Sequence, residues 1–200
     1  MSTITIPQRA RAAKLDSGQV AADVIAVLTG SLLIALSAQV RIFVGDNPVP
    51  ITPQTLVVVS LPFFLSGWRA PAAVAAYLAQ GLFGLPFFAG GNAGTAYFAS
   101  FTGGYLLGFL AAAVVVSVLR DRLLTPVAGQ ADHRRTWQVA AMTIGNLVIY
   151  VLGVAWLAIK LGSLGDAIVT GMLPFLIGDA VKIAIASALV PRRTFPPVIR

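Results

Sequence analysis

The chain has 200 residues, 58% of them hydrophobic and only 10% charged, with a formal net charge of +7, no cysteine and a single histidine. A soluble domain carries about 25% charged residues, so this sequence lacks the polar groups to cover a water-facing surface and is expected to have lipid as its solvent. The missing cysteines exclude disulfides and thiolate sites, and the lone His133, in a charged stretch, excludes a multi-histidine metal site.

A membrane-crossing helix needs about 20 mostly apolar residues, and six stretches are read as spans: 20–43, 52–68, 70–88, 96–119, 137–159 and 167–190. The basic segment 1–19 precedes the first. That first run is longer than the roughly 7–15 residues of a signal-peptide core, so it is read as a span and not as a cleaved leader. It carries Ser31, Ala35 and Ala38, small residues that allow close helix approach, either inside the bundle or against a partner. The second run is short and holds Pro53 and Pro62; Gln54 at its start is a pocket group or a cap. The connections 45–53, "GDNPVPITP", and 84–94, "GLPFFAGGNAG", are rich in proline and glycine and nearly free of charge. Such turn-rich segments on one side of a bundle suit a folded lid or pocket rim. The connection 120–135 reads as an ordinary solvated loop.

Charge placement fixes orientation. Arg9, Arg11, Lys14, Arg69, Arg120, Arg122, Arg134, Arg135, Arg192, Arg193 and Arg200 fall on one side of a six-span chain, eleven of its fourteen basic residues. Lys/Arg excess marks the cytoplasmic side, so both termini are expected there, and an odd number of spans would split the set. The basic residues lie between apolar runs and not on one amphipathic face, which argues against nucleic acid. The expectation is therefore an all-α membrane protein. It is a compact bundle of six transmembrane helices with both termini cytoplasmic: a segment 1–19, a helical domain 20–190 and a tail 191–200.

Within the last span, "FLIGDAVKIA" places Asp179 and Lys182 three residues apart among apolar neighbours. Charges deep in a bilayer are expensive and usually face the bundle interior, and residues at i and i+3 share a helix face. The pair either holds the sixth helix in place or forms the polar end of a ligand pocket; a buried ion pair is a poor way to gain stability alone. Asn92, between glycines, is a turn asparagine or an amide for a planar polar ligand. Thr102, Gly103, Gly104 and Tyr105 form "TGGY", which serves close helix packing or makes room for a flat ring. Tyr77, Phe87, Phe88, Tyr97, Tyr150 and Trp156 supply aromatic area to core, interface or ligand. Asn146 and Tyr150 share a face of the fifth helix. Arg41 and Lys160, at the outer boundary, are snorkelling anchors or partners for a ligand carboxylate. The sequence has no phosphate-binding P-loop, no G-x-S-x-G elbow and no HExxH helix, so ATP hydrolysis by that route and the corresponding hydrolases are not expected.

The stretches "VPITPQTL" (49–56), "YLAQGLFGLPFFAGG" (77–91), "TGGYLLGF" (102–109), "IYVLGVAWL" (149–157) and "PFLIGDAVK" (174–182), in this order, resemble the BioY family. These are the substrate-binding S components of bacterial biotin transporters of the energy-coupling-factor type. The resemblance implies a six-helix subunit of the bacterial inner membrane, with a biotin site near the outer face. It implies partnership with a transmembrane scaffold subunit and ATP-binding-cassette ATPase subunits, no enzymatic activity, and no cofactor beyond biotin as the transported ligand. It implies ligand roles for Asn92, Asp179 and Lys182. Ser100 and Phe101 stand where the family usually has Gly-Pro. Biotin joins an apolar bicycle to a flat urea and a carboxylate tail. An ammonium suits the urea oxygen, a carboxylate suits its N–H groups and an amide suits either. Lys182 is thus expected at the urea oxygen, with the tail nearer the rim by Arg41 or Lys160. Tyr150, Trp156, Thr102, Tyr105, Gln54 and Phe88 complete the expected substrate site. Two rival readings are an S component for another vitamin and a solitary proton-coupled carrier with Asp179 as its proton site.

Overall fold

Without water to bond exposed amides, an apolar chain satisfies its backbone internally and folds as helices. The computed structural model describes residues 17–43, 47–123 and 134–190. Among the described residues eight α-helices follow one another: α1 Ser17–Gln39, α2 Gln54–Phe64, α3 Arg69–Leu82, α4 Gly94–Phe98, α5 Gly103–Leu123, α6 Arg134–Leu161, α7 Leu164–Gly171 and α8 Leu176–Leu189. A 3-10 turn, Leu173–Phe175, joins the last two. Among the described residues there is no strand, only isolated bridges pairing Ile42 with Ile51 and Phe88 with Asn92. The expected terminal segments, apart from residues 17–19, and His133 lie outside the described residues.

Among the described residues four stretches are long and apolar enough to cross a membrane: Ser17–Gln39, Gly103–Arg122, Arg135–Leu161 and Leu164–Leu189. The helices α2 and α3 have 11 and 14 residues. At about 1.5 Å per residue they reach only about 16 and 21 Å. Three expected helices end or break early. The third stops at Leu82, before Gly84 at φ +102° and Pro86. The expected span 96–119 divides into α4 and α5, because the indole of Trp156 captures the Ser100 carbonyl (Nε1–H to O, 2.8 Å) and holds the chain in a turn. The expected span 167–190 divides at Gly171, where Pro174, lacking an N–H, enters the 3-10 turn.

Tight packing follows small residues. Helices α5 and α6 form the most extensive pair. A Cβ on Gly104 would collide with Trp156, and one on Gly108 would lie 2.9 Å from the Cα of Ile149. The glycines of "TGGY" and its sequel thus let two backbones approach. On α1, Ser31, Ala35 and Ala38 are buried inside the bundle, and Ser31 donates to Gln80 of α3 at 2.5 Å. The small-residue face of α1 therefore serves internal packing. Outward, Ile25, Leu36, Val151, Ile159 and Ile177 stay exposed, as a hydrocarbon solvent demands.

One end of the bundle is held by arginines. Arg69 pairs with Asp23 at 2.6 Å. Arg135 donates to the Ser187 carbonyl near the end of α8 at 3.2 Å. Arg120, expected in a solvated loop, is instead part of α5 and only 3% exposed. Its guanidinium bonds Asp121 and the carbonyls of Pro62 and Leu65. Carbonyls at a helix C-terminus lack intrahelical partners and attract cations, so Arg120 caps α2 from its neighbour.

Candidate functional site

Opposite that end, the N-terminus of α2, the start of α5, the middle of α6 and the N-terminal half of α8 converge on a cavity. Its wall includes Thr52, Gln54, Thr55, Thr102, Tyr105, Phe109, Tyr150, Phe175, Asp179 and Lys182, with Val49 and Pro50 from the α1–α2 connection and Ala89 and Tyr97 from the α3–α5 region. The empty space within this lining is about 560 Å³, open solvent at the mouth included. The connection carrying Val49 and Pro50 is tied down at both sides. The backbones of Ile42 and Ile51 exchange bonds of 2.9 and 2.8 Å, and Asn47 donates to the Thr170 carbonyl at 2.6 Å.

Charge is concentrated at one point of this largely apolar wall. Asp179 is 3% exposed. Its Oδ1 accepts from Lys182 Nζ at 2.8 Å and from Thr55 Oγ1 at 3.1 Å. Its Oδ2 accepts from Asn146 Nδ2 at 3.1 Å and from the Tyr150 hydroxyl. Lys182 also donates to Thr55 Oγ1 at 3.1 Å. The ion pair is therefore not isolated: four donors from α2, α6 and α8 hold the carboxylate. Its position at the start of α2 is electrostatically sound, since a helix N-terminus favours a nearby anion.

A second polar chain runs from the wall to the buried Tyr77. Gln54 is buried and donates through Nε2 to the Tyr77 hydroxyl at 2.8 Å, while Thr52 Oγ1 donates to Gln54 Oε1 at 3.2 Å. Tyr105 lines the cavity with its ring and donates its hydroxyl to the Gly171 carbonyl at 2.8 Å. That bond ties α5 to the break between α7 and α8.

Of the expected ligand residues, Gln54, Thr102, Tyr105, Tyr150, Asp179 and Lys182 meet on this wall. Asn92, Phe88 and Trp156 are not part of it. Asn92 is exposed, and its amide donates to the Ala89 carbonyl at 2.7 Å, which shapes the turn behind Ala89. Phe88 is fully buried between Tyr77, edge-on at 5.7 Å, and Tyr97, stacked at 5.3 Å. Trp156 packs on Gly103 and Gly104. Arg41 lies over Phe43 and against Gly90, whose φ of +71° and bare Cα admit the guanidinium. Lys160 lies over Trp156. Thr55 joins the wall without having been singled out in the sequence, and Asn146, noted only for sharing a face with Tyr150, supports it through Asp179. Threonine at a helix start reads as a cap, and nothing in helical spacing tells that α2 and α6 converge on α8.

The comparisons with known proteins agree in kind. The BioY family profile matches residues 8–196. The biotin transporter BioY of Rhizobium etli is 33% identical over 166 residues, covering 83% of this chain and 89% of that protein. The biotin transporter BioY of Thermotoga maritima is 32% identical over 160 residues, covering 80% and 88%. The fold is similar to the crystal structure of the S-component for biotin from an ECF-type ABC transporter. The TM-score there is 0.78 at 22% identity, with 88% of this chain and 92% of that one covered. These relatives are named transporters, not enzymes.

Proposed function

The chain belongs to the BioY family, and from that premise we propose that it is the biotin-binding S component of a bacterial uptake system. It sits in the inner membrane and is driven by a transmembrane scaffold subunit and ATP-binding-cassette ATPase subunits. In this reading α2, α3 and the paired segments α4–α5 and α7–α8 complete six crossings with α1 and α6, and both termini are cytoplasmic. Biotin enters from the opposite, lid-bearing end.

The observation that carries the reading is the Asp179–Lys182 pair at the wall of a largely apolar cavity, with Asp179 buried and Lys182 half-buried. Lys182 has three N–H donors and no acceptor; two are engaged by Asp179 and Thr55. The third is assigned to the urea oxygen of biotin. Asp179 already accepts four donors, about the capacity of an ionised carboxylate. It takes a urea N–H only by exchanging one of them, and otherwise serves the ligand by holding Lys182. Tyr97, Tyr105, Phe109, Tyr150 and Phe175 supply aromatic surface for the thioether bicycle.

The test is calorimetric titration of the detergent-purified chain with biotin, with thiamine and riboflavin as competitors for the role. Saturable biotin binding that the other two vitamins fail to match is expected. Preference for thiamine or riboflavin would assign a different vitamin. Lys182→Met is expected to weaken biotin by about tenfold or more, the effect of about 1.4 kcal/mol. If amidating the tail of biotin abolishes that penalty, Lys182 reads the carboxylate and not the urea.

A further inference from the structure

Thr55 is the second residue of α2 and lines the cavity. Its hydroxyl performs two tasks at once. It donates to Asp179 Oδ1 at 3.1 Å and accepts from Lys182 Nζ at 3.1 Å. The directions are forced, because a hydroxyl has one hydrogen and an ammonium has no lone pair. Lys182 gives a second hydrogen to the same carboxylate oxygen at 2.8 Å. Threonine, lysine and aspartate thus close a triangle, while the third lysine hydrogen meets no acceptor among the described residues.

Lysine carries its charge on a flexible four-carbon stem with a freely turning ammonium. The bond to Asp179 fixes the distance of that ammonium, but leaves it free to swing about the carboxylate oxygen. A second fixed point removes that freedom. Thr55 supplies it from a rigid place, since the first turn of α2 sets its backbone and β-branching stiffens its side chain.

We propose that Thr55 is a positioning residue for ligand recognition: with Asp179 it aims the third N–H of Lys182 into the cavity. It thereby sets how strongly the site prefers a carbonyl oxygen at that point over a positive group. This rests on the reading of Lys182 as donor to the urea oxygen of biotin. Asn146 and Tyr150 hold the other carboxylate oxygen, so they anchor Asp179 without touching the ammonium, and Thr55 is the group that orients it.

The experiment titrates the detergent-purified full chain with biotin and with 2-iminobiotin, in which a nitrogen that is protonated at neutral pH replaces the urea oxygen. Thr55→Val keeps the shape and removes the hydroxyl; Thr55→Ser keeps the hydroxyl. Valine is expected to weaken biotin by about tenfold and to shrink the biotin-to-iminobiotin preference by about fivefold or more, with serine restoring both. Equal losses for both ligands, with the preference intact, would show a merely structural threonine and overturn the proposal. So would wild-type behaviour of the valine variant, or a serine variant that matches valine. Should valine prevent folding, Thr55→Ala replaces it under the same criteria. A wild-type chain that binds no biotin, or does not prefer it to iminobiotin, overturns the Lys182 reading itself, and that result is visible before any Thr55 variant is measured.

Discussion

Asp179 gathers two hydroxyls, one amide and one ammonium on its two oxygens. Its replacement by asparagine keeps the size but removes the charge that Lys182 answers. Deleting one member of a buried pair costs about 3–5 kcal/mol, whereas neutralising both is far milder. Asp179→Asn is therefore expected to lose about tenfold or more in biotin affinity and to lower Tm. Adding Lys182→Met should recover much of the Tm without recovering biotin. Calorimetry and thermal melts in detergent measure the two effects separately; a double variant that binds biotin like wild type would make the pair purely structural. Asp179 and Lys182 were legible in the sequence because a charge in an apolar span demands a reason. Their companions were less so. Spacing places Asn146 and Tyr150 on one face of α6, but their partner lies 33 and 29 residues away on another helix. Asn92 illustrates the converse: its type and its glycine neighbours suit a ligand as well as a turn, and only the bond to Ala89 shows which donor the turn uses.

At the scale of elements, hydrophobic runs located the helices, while breaks inside them escaped the pattern. The split between α4 and α5 depends on Trp156 reaching the Ser100 carbonyl 56 residues away, a tertiary contact that no local signal encodes. Pro174 was a visible cue for the other split, but apolar composition continues through it. Glycines divide by what faces them. Gly108 lies against the backbone of Ile149, whose Cα an added Cβ would approach to 2.9 Å; a backbone cannot rotate away as a side chain can. Gly108→Ala is expected to force α5 and α6 apart, with overpacking of about 1–3 kcal/mol, a lower Tm and weaker biotin binding, since both helices line the cavity. Gly178 has nothing within 4 Å of its missing Cβ. Gly178→Ala is expected to leave the Tm of the isolated chain unchanged or raise it, because alanine is the better helix former. Thermal melts of the two variants in the same detergent make the comparison; a large loss at Gly178 would mean that its side of α8 is closely packed within the folded chain.

For the whole molecule, the arrangement of arginines serves folding and orientation together. Arg69 bonds Asp23, Arg120 bonds the end of α2, and Arg135 bonds the end of α8. All three contacts gather at the bundle end opposite the cavity. Arg41 and Lys160 sit toward the cavity end, each over an aromatic ring, as amphipathic cations do at an interface. Cations that cap helix ends on one side cannot be redistributed without losing those caps, so the structural role and the topological signal reinforce each other. Because lysine and arginine are retained on the cytoplasmic side, the capped end should face the cytoplasm and the cavity mouth the exterior. The native chain has no cysteine, so single cysteines can be introduced without background. Lys160→Cys and Arg122→Cys both replace exposed residues. In right-side-out membrane vesicles, a membrane-impermeant maleimide is expected to label Lys160→Cys at once and Arg122→Cys only after permeabilisation. The reverse pattern would turn the bundle over and place the cavity toward the cytoplasm, where the proposed uptake from outside has no use for it.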